Sequence, residues 1–188
     1  FNVTYEVKYF LMNADLGDYD YSKSLTWTDK KTGKLGDVCL TTNECDAKFR
    51  TIASTCQLSE NQLYYEKMEA TIDGETVSLD KNFMERNKVA ENMTEVHVYI
   101  GIRKYQVTWV WTDGNGNQAK IEEKRCYGAK LSVPEAVSGQ FKKVGENYRI
   151  VNANGSYRIV DGWQVTKAEP GGGLVWPPND TSYYKLKN

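Results

Sequence analysis

The sequence predicts a β-rich α+β fold in which strands dominate and one helix stands out. Three observations carry this. Aromatic and β-branched residues alternate with polar ones at period two along several stretches. Turn signals such as Asp73-Gly74 separate those stretches. Residues 43–56 are the best helix candidate, placing apolar residues at roughly helical spacing.

The elements follow in order. Phe1, Val3, Tyr5, Val7, Tyr9 and Leu11 share one strand face, with Asn2, Thr4, Glu6 and Lys8 on the other. The run Asn13 to Asp18 reads as a turn, and residues 22–28 as a return strand. Thr42-Asn43-Glu44-Cys45-Asp46 offers a cap followed by carboxylates suited to a helix N-terminus. Ala47, Phe49, Ile52, Ala53 and Cys56 continue it. Strands are expected at 62–71 and 75–79, then a polar, irregular stretch over 80–93. Val96, Val98, Ile100 and Ile102 define the next strand and put the single histidine, His97, on its polar face as a surface or edge residue. Tyr105, Val107, Trp109 and Trp111 share the face of another strand and read as core. The run Asp113 to Asn117 turns the chain into a strand over 118–126. A short helical or irregular crossover with Pro134 in its first turn is expected over 134–141. Tyr148–Val151 and Tyr157–Val160 flank a hairpin signal, and a last strand lies near 182–187. In the first half, one helix on a small sheet is a two-layer arrangement. A β-grasp-like module satisfies it; a β-sandwich does so if the helix is discounted.

The 188 residues allow one mid-sized domain or two small ones. With 40% apolar and 26% charged residues, a packed core is expected rather than disorder. The net charge of −1 argues against nonspecific binding to nucleic acid or anionic membranes. No apolar run approaches the ~18–20 residues that span a bilayer. The charge is uneven: residues 1–103 carry 12 Lys/Arg and 17 Asp/Glu, residues 104–188 carry 12 and 8. All four prolines also fall in the last third. Two modules, 1–103 with the helix and 104–188, are the reading. The start at Phe1, without a signal-peptide pattern, suggests a mature chain or an excised piece.

The run Tyr5-Glu6-Val7-Lys8-Tyr9-Phe10-Leu11-Met12-Asn13-Ala14-Asp15-Leu16-Gly17-Asp18-Tyr19 resembles the opening of small modules strung along bacterial surface proteins. In the second half, Tyr105-Gln106-Val107-Thr108-Trp109, Tyr127-Gly128-Ala129 and the run Tyr157 to Trp163 are similar to later parts of the same pattern. These are the internalin-B-repeat-like (Listeria–Bacteroides) modules and their mucin-binding-like relatives. The resemblance implies a β-grasp-like fold, tandem copies, an extracellular site and no catalysis. The cysteines, the stretch 80–93 and the length of 170–188 depart from the pattern.

Candidate chemistry is sparse. Asp113, Asn115, Asn117 and Glu122 have the oxygen-rich look of a calcium loop, but the sixth and twelfth positions are Gln118 and Lys124 where an EF-hand needs Gly and Glu, so a plain turn is favoured. Asn13, Asp15, Asp18 and Asp20 likewise read as a solvated turn, and no metal or cofactor is expected. Trp176, Trp163 and Tyr157 are the candidate ligand-binding aromatics, suited to stacking on sugars or to protein contacts. Asn2, Asn92, Asn154 and Asn179 head glycosylation sequons, used only if a eukaryote makes the chain. No nucleophile elbow, phosphate loop, zinc spacing or dinucleotide fingerprint is present. Cys39, Cys45, Cys56 and Cys126 are candidate disulfide partners; full pairing needs one bond between the halves, and free buried thiols are the alternative. The functional expectation is a non-catalytic extracellular adhesion or spacer element of a larger secreted or surface-anchored protein. Its partners would be proteins or glycans on a host or neighbouring cell. The alternatives are a carbohydrate-binding module using exposed aromatics, or a secreted host-interacting protein of a eukaryotic pathogen.

Overall fold

The structure, a computed structural model, describes residues 1–20, 25–130, 132–160, 162–169 and 181–186. The chain divides into two compact units, Phe1–Arg103 and Lys104–Asn188. The described residues are β-rich, with few helices and three sheets.

In the first unit, β1 (Asn2–Leu11) and β2 (Leu25–Lys34) pair antiparallel, followed by α1 (Thr42–Thr55), β3 (Leu63–Ile72), β4 (Glu75–Leu79) and β5 (Met93–Ile102). The sheet order is β2-β1-β5-β3-β4, with β1 and β5 parallel. The period-two pattern decides the faces: Val3, Tyr5, Val7, Tyr9 and Leu11 are buried, alongside Val96, Val98, Ile100 and Ile102 of β5. Cys45, Ile52 and Ala53 of α1 are buried too. The Tyr5 hydroxyl donates to the Cys39 carbonyl at 2.6 Å, so its burial leaves no polar group unmatched. The helix starts at Thr42, one residue earlier than expected. Thr41 is the N-cap; its hydroxyl accepts from the Glu44 amide at 3.1 Å and lies 3.1 Å from the Glu44 carboxylate, a close relative of the capping box. The return strand runs to Lys34, well beyond the expected 28, because its long pairing with β1 outweighs the poor strand propensity of Asp29-Lys30-Lys31. Asp73 and Gly74 both take positive φ, as a tight hairpin turn requires.

The stretch 80–93 is ordered by its own hydrogen bonds. Buried Asn87 accepts from the Asp80 amide and donates back to the Asp80 carbonyl, each at 2.9 Å. Met84 and Val89 are buried beside it. On the opposite sheet face, Phe10 stacks on Tyr99 with ring centroids 5.1 Å apart and meets His97 edge-on at 5.2 Å. Tyr19 packs against Tyr99, and its hydroxyl donates to Glu66 at 2.6 Å. His97 sits 3.0 Å from the Glu95 carboxylate and belongs to this aromatic layer.

The second unit opens with the hairpin of β6 (Lys104–Thr112) and β7 (Gln118–Cys126). After α2 (Glu135–Ser138), which follows Pro134 at its N-cap, come β8 (Lys142–Val144), β9 (Asn147–Val151), β10 (Tyr157–Ile159), β11 (Trp163–Glu169) and β12 (Thr181–Leu186). The sequence reading lacked β8 and β11. The four-stranded sheet has the order β11-β12-β6-β7, with β12 parallel to β6. This repeats β3-β5-β1-β2 of the first unit: an opening hairpin whose first strand lies parallel to the unit's last strand. The three-stranded sheet β10-β9-β8 is inserted between α2 and β11, with no counterpart among the described residues of the first unit. Val107, Trp109, Trp111, Val137, Phe141 and Ile150 form the core of this unit.

The described residues contain no disulfide: Cys39, Cys45, Cys56 and Cys126 are not bridged. Cys45 and Cys56 are separated by about 16 Å along the helix at 1.5 Å per residue, far beyond the Cα spacing a disulfide spans. Cys39, Cys45 and Cys126 are buried and act as small core residues, the alternative that the sequence left open. Burial is the main influence on the Cys45 thiol, raising it to about 11.

Candidate functional site

The structure separates the aromatic residues expected to bind ligand. Tyr157 on β10 is 51% exposed. Trp163, at the start of β11, is half-buried and packs edge-on against Trp109 and Trp111 at 5.1 and 6.3 Å. It lines an apolar cavity of about 230 Å³ with Phe141, Tyr148, Val160 and Val133. Tyr148 and Ile150 turn toward that core, whereas alternation along β9 puts Arg149 and Val151 on the exposed face. Tyr157 pairs with Val151 and Ile159 with Arg149, so all four share that face. Tyr157 and Trp163 therefore occupy opposite sides of the small sheet. Trp176 lies outside the described residues.

The exposed face has a charge pattern that the sequence reading missed. Lys142 on β8 stands directly opposite Arg149 on β9. Strands β8 to β10 carry Lys142, Lys143, Arg149 and Arg158 and no acidic residue. Two of these cations have other duties: Lys143 lies over the Tyr148 ring, and the Arg158 guanidinium donates to the Thr112 carbonyl at 2.7 Å. The Arg149 guanidinium lies 4.1 Å from the Tyr157 ring centroid, a cation–π contact. Its Nε is buried without a hydrogen-bond partner among the described residues. The signal that could have found this pair is the alternation in Tyr148-Arg149-Ile150-Val151, which aims Arg149 away from the core, but locating Lys142 beside it requires knowing β8.

Lys142 and Arg149 line one side of a cavity of about 220 Å³, together with Trp111, Asp113, Gly114, Gln140, Phe141, Ile150 and Val151. The β6–β7 turn forms the other side. Asp113 Oδ1 accepts from the amides of Asn115 and Asn117 at 2.9 Å each, so this carboxylate is taken up by the turn itself. Gly114 lies against the Val151 carbonyl so closely that a Cβ would come within 1.8 Å of it.

The first unit holds a groove of about 440 Å³ between α1 and β2, with Val7, Tyr9, Leu40 and Ala47 among its walls. Ion pairs within the groove engage its charges: Lys31 with Glu44, and Lys48 with Asp29 at 3.1 Å. Lys31 and Lys48 thus have carboxylate partners, Lys30 on the same groove has no ion pair among the described residues, and neither have Lys142 and Arg149.

No family model matches the chain, and no curated protein matches it. Among solved structures, the type 2 repeat of the mucus binding protein MUB from Lactobacillus reuteri is similar at 11% identity, over 97% of this chain and 100% of that one, with a TM-score of 0.22. A superposition that loose bears on neither fold nor ligand.

Proposed function

We propose that this chain is a non-catalytic, extracellular adhesion module of a larger surface protein, and that the inserted sheet of its second unit makes the contact. The observation that carries the reading is the exposed face of β9 and β10. Tyr157, Val151 and Ile159, each 44–53% exposed, surround Arg149 on a small sheet backed by a tryptophan-rich core. Aromatic and arginine side chains held on a rigid scaffold are the usual anchors of recognition surfaces. The order β2-β1-β5-β3-β4 under a single helix supports reading the first unit as β-grasp-like. The shared strand order supports reading the second as a modified copy, with the insertion as its distinguishing device. A surface module that repeats a frame and varies an insertion needs no catalytic group, and a stiff spacer role is compatible with the same frame.

A carbohydrate ligand is the second reading, favoured by the Tyr157 ring beside Arg149. The test presents the whole chain to an array of host-type glycans and to immobilised extracellular proteins, with Tyr157→Ala alongside. Retention that falls by at least tenfold in the variant is the expected result. Absence of retention on every surface would reject adhesion, and release of sugars from the array would reject the non-catalytic reading.

A further inference from the structure

We infer that the cavity at Lys142 and Arg149 is an anion-recognition site that takes the carboxylate or sulfate group of an acidic saccharide; this rests on the adhesion reading and names its ligand class. Like charges directly opposite each other on neighbouring strands repel and destabilise the sheet. Lys142 and Arg149 are such a pair, with no carboxylate bridging them among the described residues. Sequences tend to tolerate conflicts of this kind where function requires them. Asp113 is the one acidic residue lining the cavity, and its Oδ1 accepts two turn amides. Set against the two cations Lys142 and Arg149, that one carboxylate leaves the lining with a net positive charge for an incoming anion.

The rest of the lining selects the body that carries the anion. Trp111 and Phe141 supply aromatic walls, and Gln140 supplies an amide. The volume of about 220 Å³ falls below the ~300–1,000 Å³ of drug-sized sites and suits one ring with its charged substituent. An acidic peptide is less well served. Peptides commonly bind by adding a strand to a sheet edge, and both edges here, β8 and β10, are three residues long. Tyr157 beside Arg149 extends the surface for a second sugar unit.

The test titrates the whole chain calorimetrically with four probes of similar length. These are a tetrasaccharide containing glucuronate, a sulfated tetrasaccharide without carboxylates, a neutral N-acetylglucosamine tetrasaccharide and tetraglutamate. Binding of either acidic sugar at least tenfold tighter than the neutral one is expected, and the pair of results says which anion is preferred. Lys142→Gln and Arg149→Gln should each weaken that binding about tenfold, as should raising the salt to 0.5 M. Lys142→Gln should leave the melting temperature unchanged or raise it, because it removes the facing charge. Equal binding of the neutral sugar, tetraglutamate binding as tightly as the sugars, variants that bind like the parent, or a melting temperature lowered by Lys142→Gln would each overturn the inference. If array retention is lost in Tyr157→Ala but survives both charge variants, the anion site falls while adhesion stands. If nothing is retained on the array, adhesion falls and the titrations still decide the site.

Discussion

Gly114→Ala tests how the second unit assembles its cavity. The added Cβ would lie 1.8 Å from the Val151 oxygen and 2.9 Å from its carbonyl carbon, both backbone atoms that cannot swing aside. The β6–β7 turn must therefore lift off the β9–β10 hairpin. Lifting breaks the bond from the Ala153 amide to the Gly114 carbonyl, at 3.2 Å, and the Arg158 bond to the Thr112 carbonyl, at 2.7 Å. At about 0.5–1.5 kcal/mol for the neutral bond and about 1.5–3 for the charged one, the cost is about 2–4 kcal/mol. For a unit of this size that is a fall of roughly 10–30 °C in its melting transition. Gly116→Ala is the internal control. Its φ of +82° strains an alanine, but nothing lies within 4 Å of the new Cβ. Its cost should be about 1–2 kcal/mol. Thermal unfolding, with hydrogen exchange followed over residues 112–117 and 151–158, measures both. A Gly114→Ala chain as stable as Gly116→Ala, or one without faster exchange in those segments, would refute the packing argument.

Three further outcomes are expected. Gly101→Ala brings a Cβ to 2.4 Å from Tyr64 Cζ, but that atom is the far end of a side chain that can rotate away; the cost should be about 1–2 kcal/mol, below that of Gly114→Ala in the same urea titration. Glu95 is held below the usual carboxylate range chiefly by its hydrogen bond from Lys8, at 2.5 Å, with His97 adding to it. A depressed folded pKa means the stabilisation is present above the unfolded value of about 4.3 and is lost as pH falls through the folded one. Glu95→Gln should therefore lower the unfolding free energy measured in urea at neutral pH by up to about 1 kcal/mol and have no effect once Glu95 is protonated; an equal loss at both pH values would contradict the pairing. Thiol titration of the denatured, unreduced chain should count four free thiols, with partly exposed Cys56 reacting first in the native state and Cys45 protected. A count of two or none would restore the disulfides.

The legible part of the fold was the part governed by local pattern. The alternation in β1, β5 and β6 located the strands and one buried face of each, including Trp109 and Trp111, but not the exposure of Phe1 or the burial of Phe10, Tyr99 and Thr108 on the other faces. The helix was legible from its spacing, with its cap displaced by one residue because Thr41 and Thr42 are chemically equivalent until the backbone chooses. Long-range pairing was not legible. β2 contains Asp29-Lys30-Lys31, a poor strand on propensity, and is held by its register with β1. Strand β8 is three residues, too short for periodicity to declare itself, whereas the equally short β10 was legible from the Asn152 to Ser156 hairpin signal before it. The cysteines misled because an even count is silent about distance. In the candidate site, Tyr157 was recognised by type, while Lys142 and Arg149 were not, since their significance lies in facing each other.

The central claim, that the inserted sheet of the second unit is the recognition surface, is tested most directly by amide and arginine side-chain NMR of the isotope-labelled chain during titration with the glucuronate tetrasaccharide. Saturable shifts confined to residues 140–151 and 157–159, including the Arg149 side chain, with residues 1–103 unmoved, are the expected result. Shifts centred on the α1–β2 groove, or no saturable shifts at all, would contradict it.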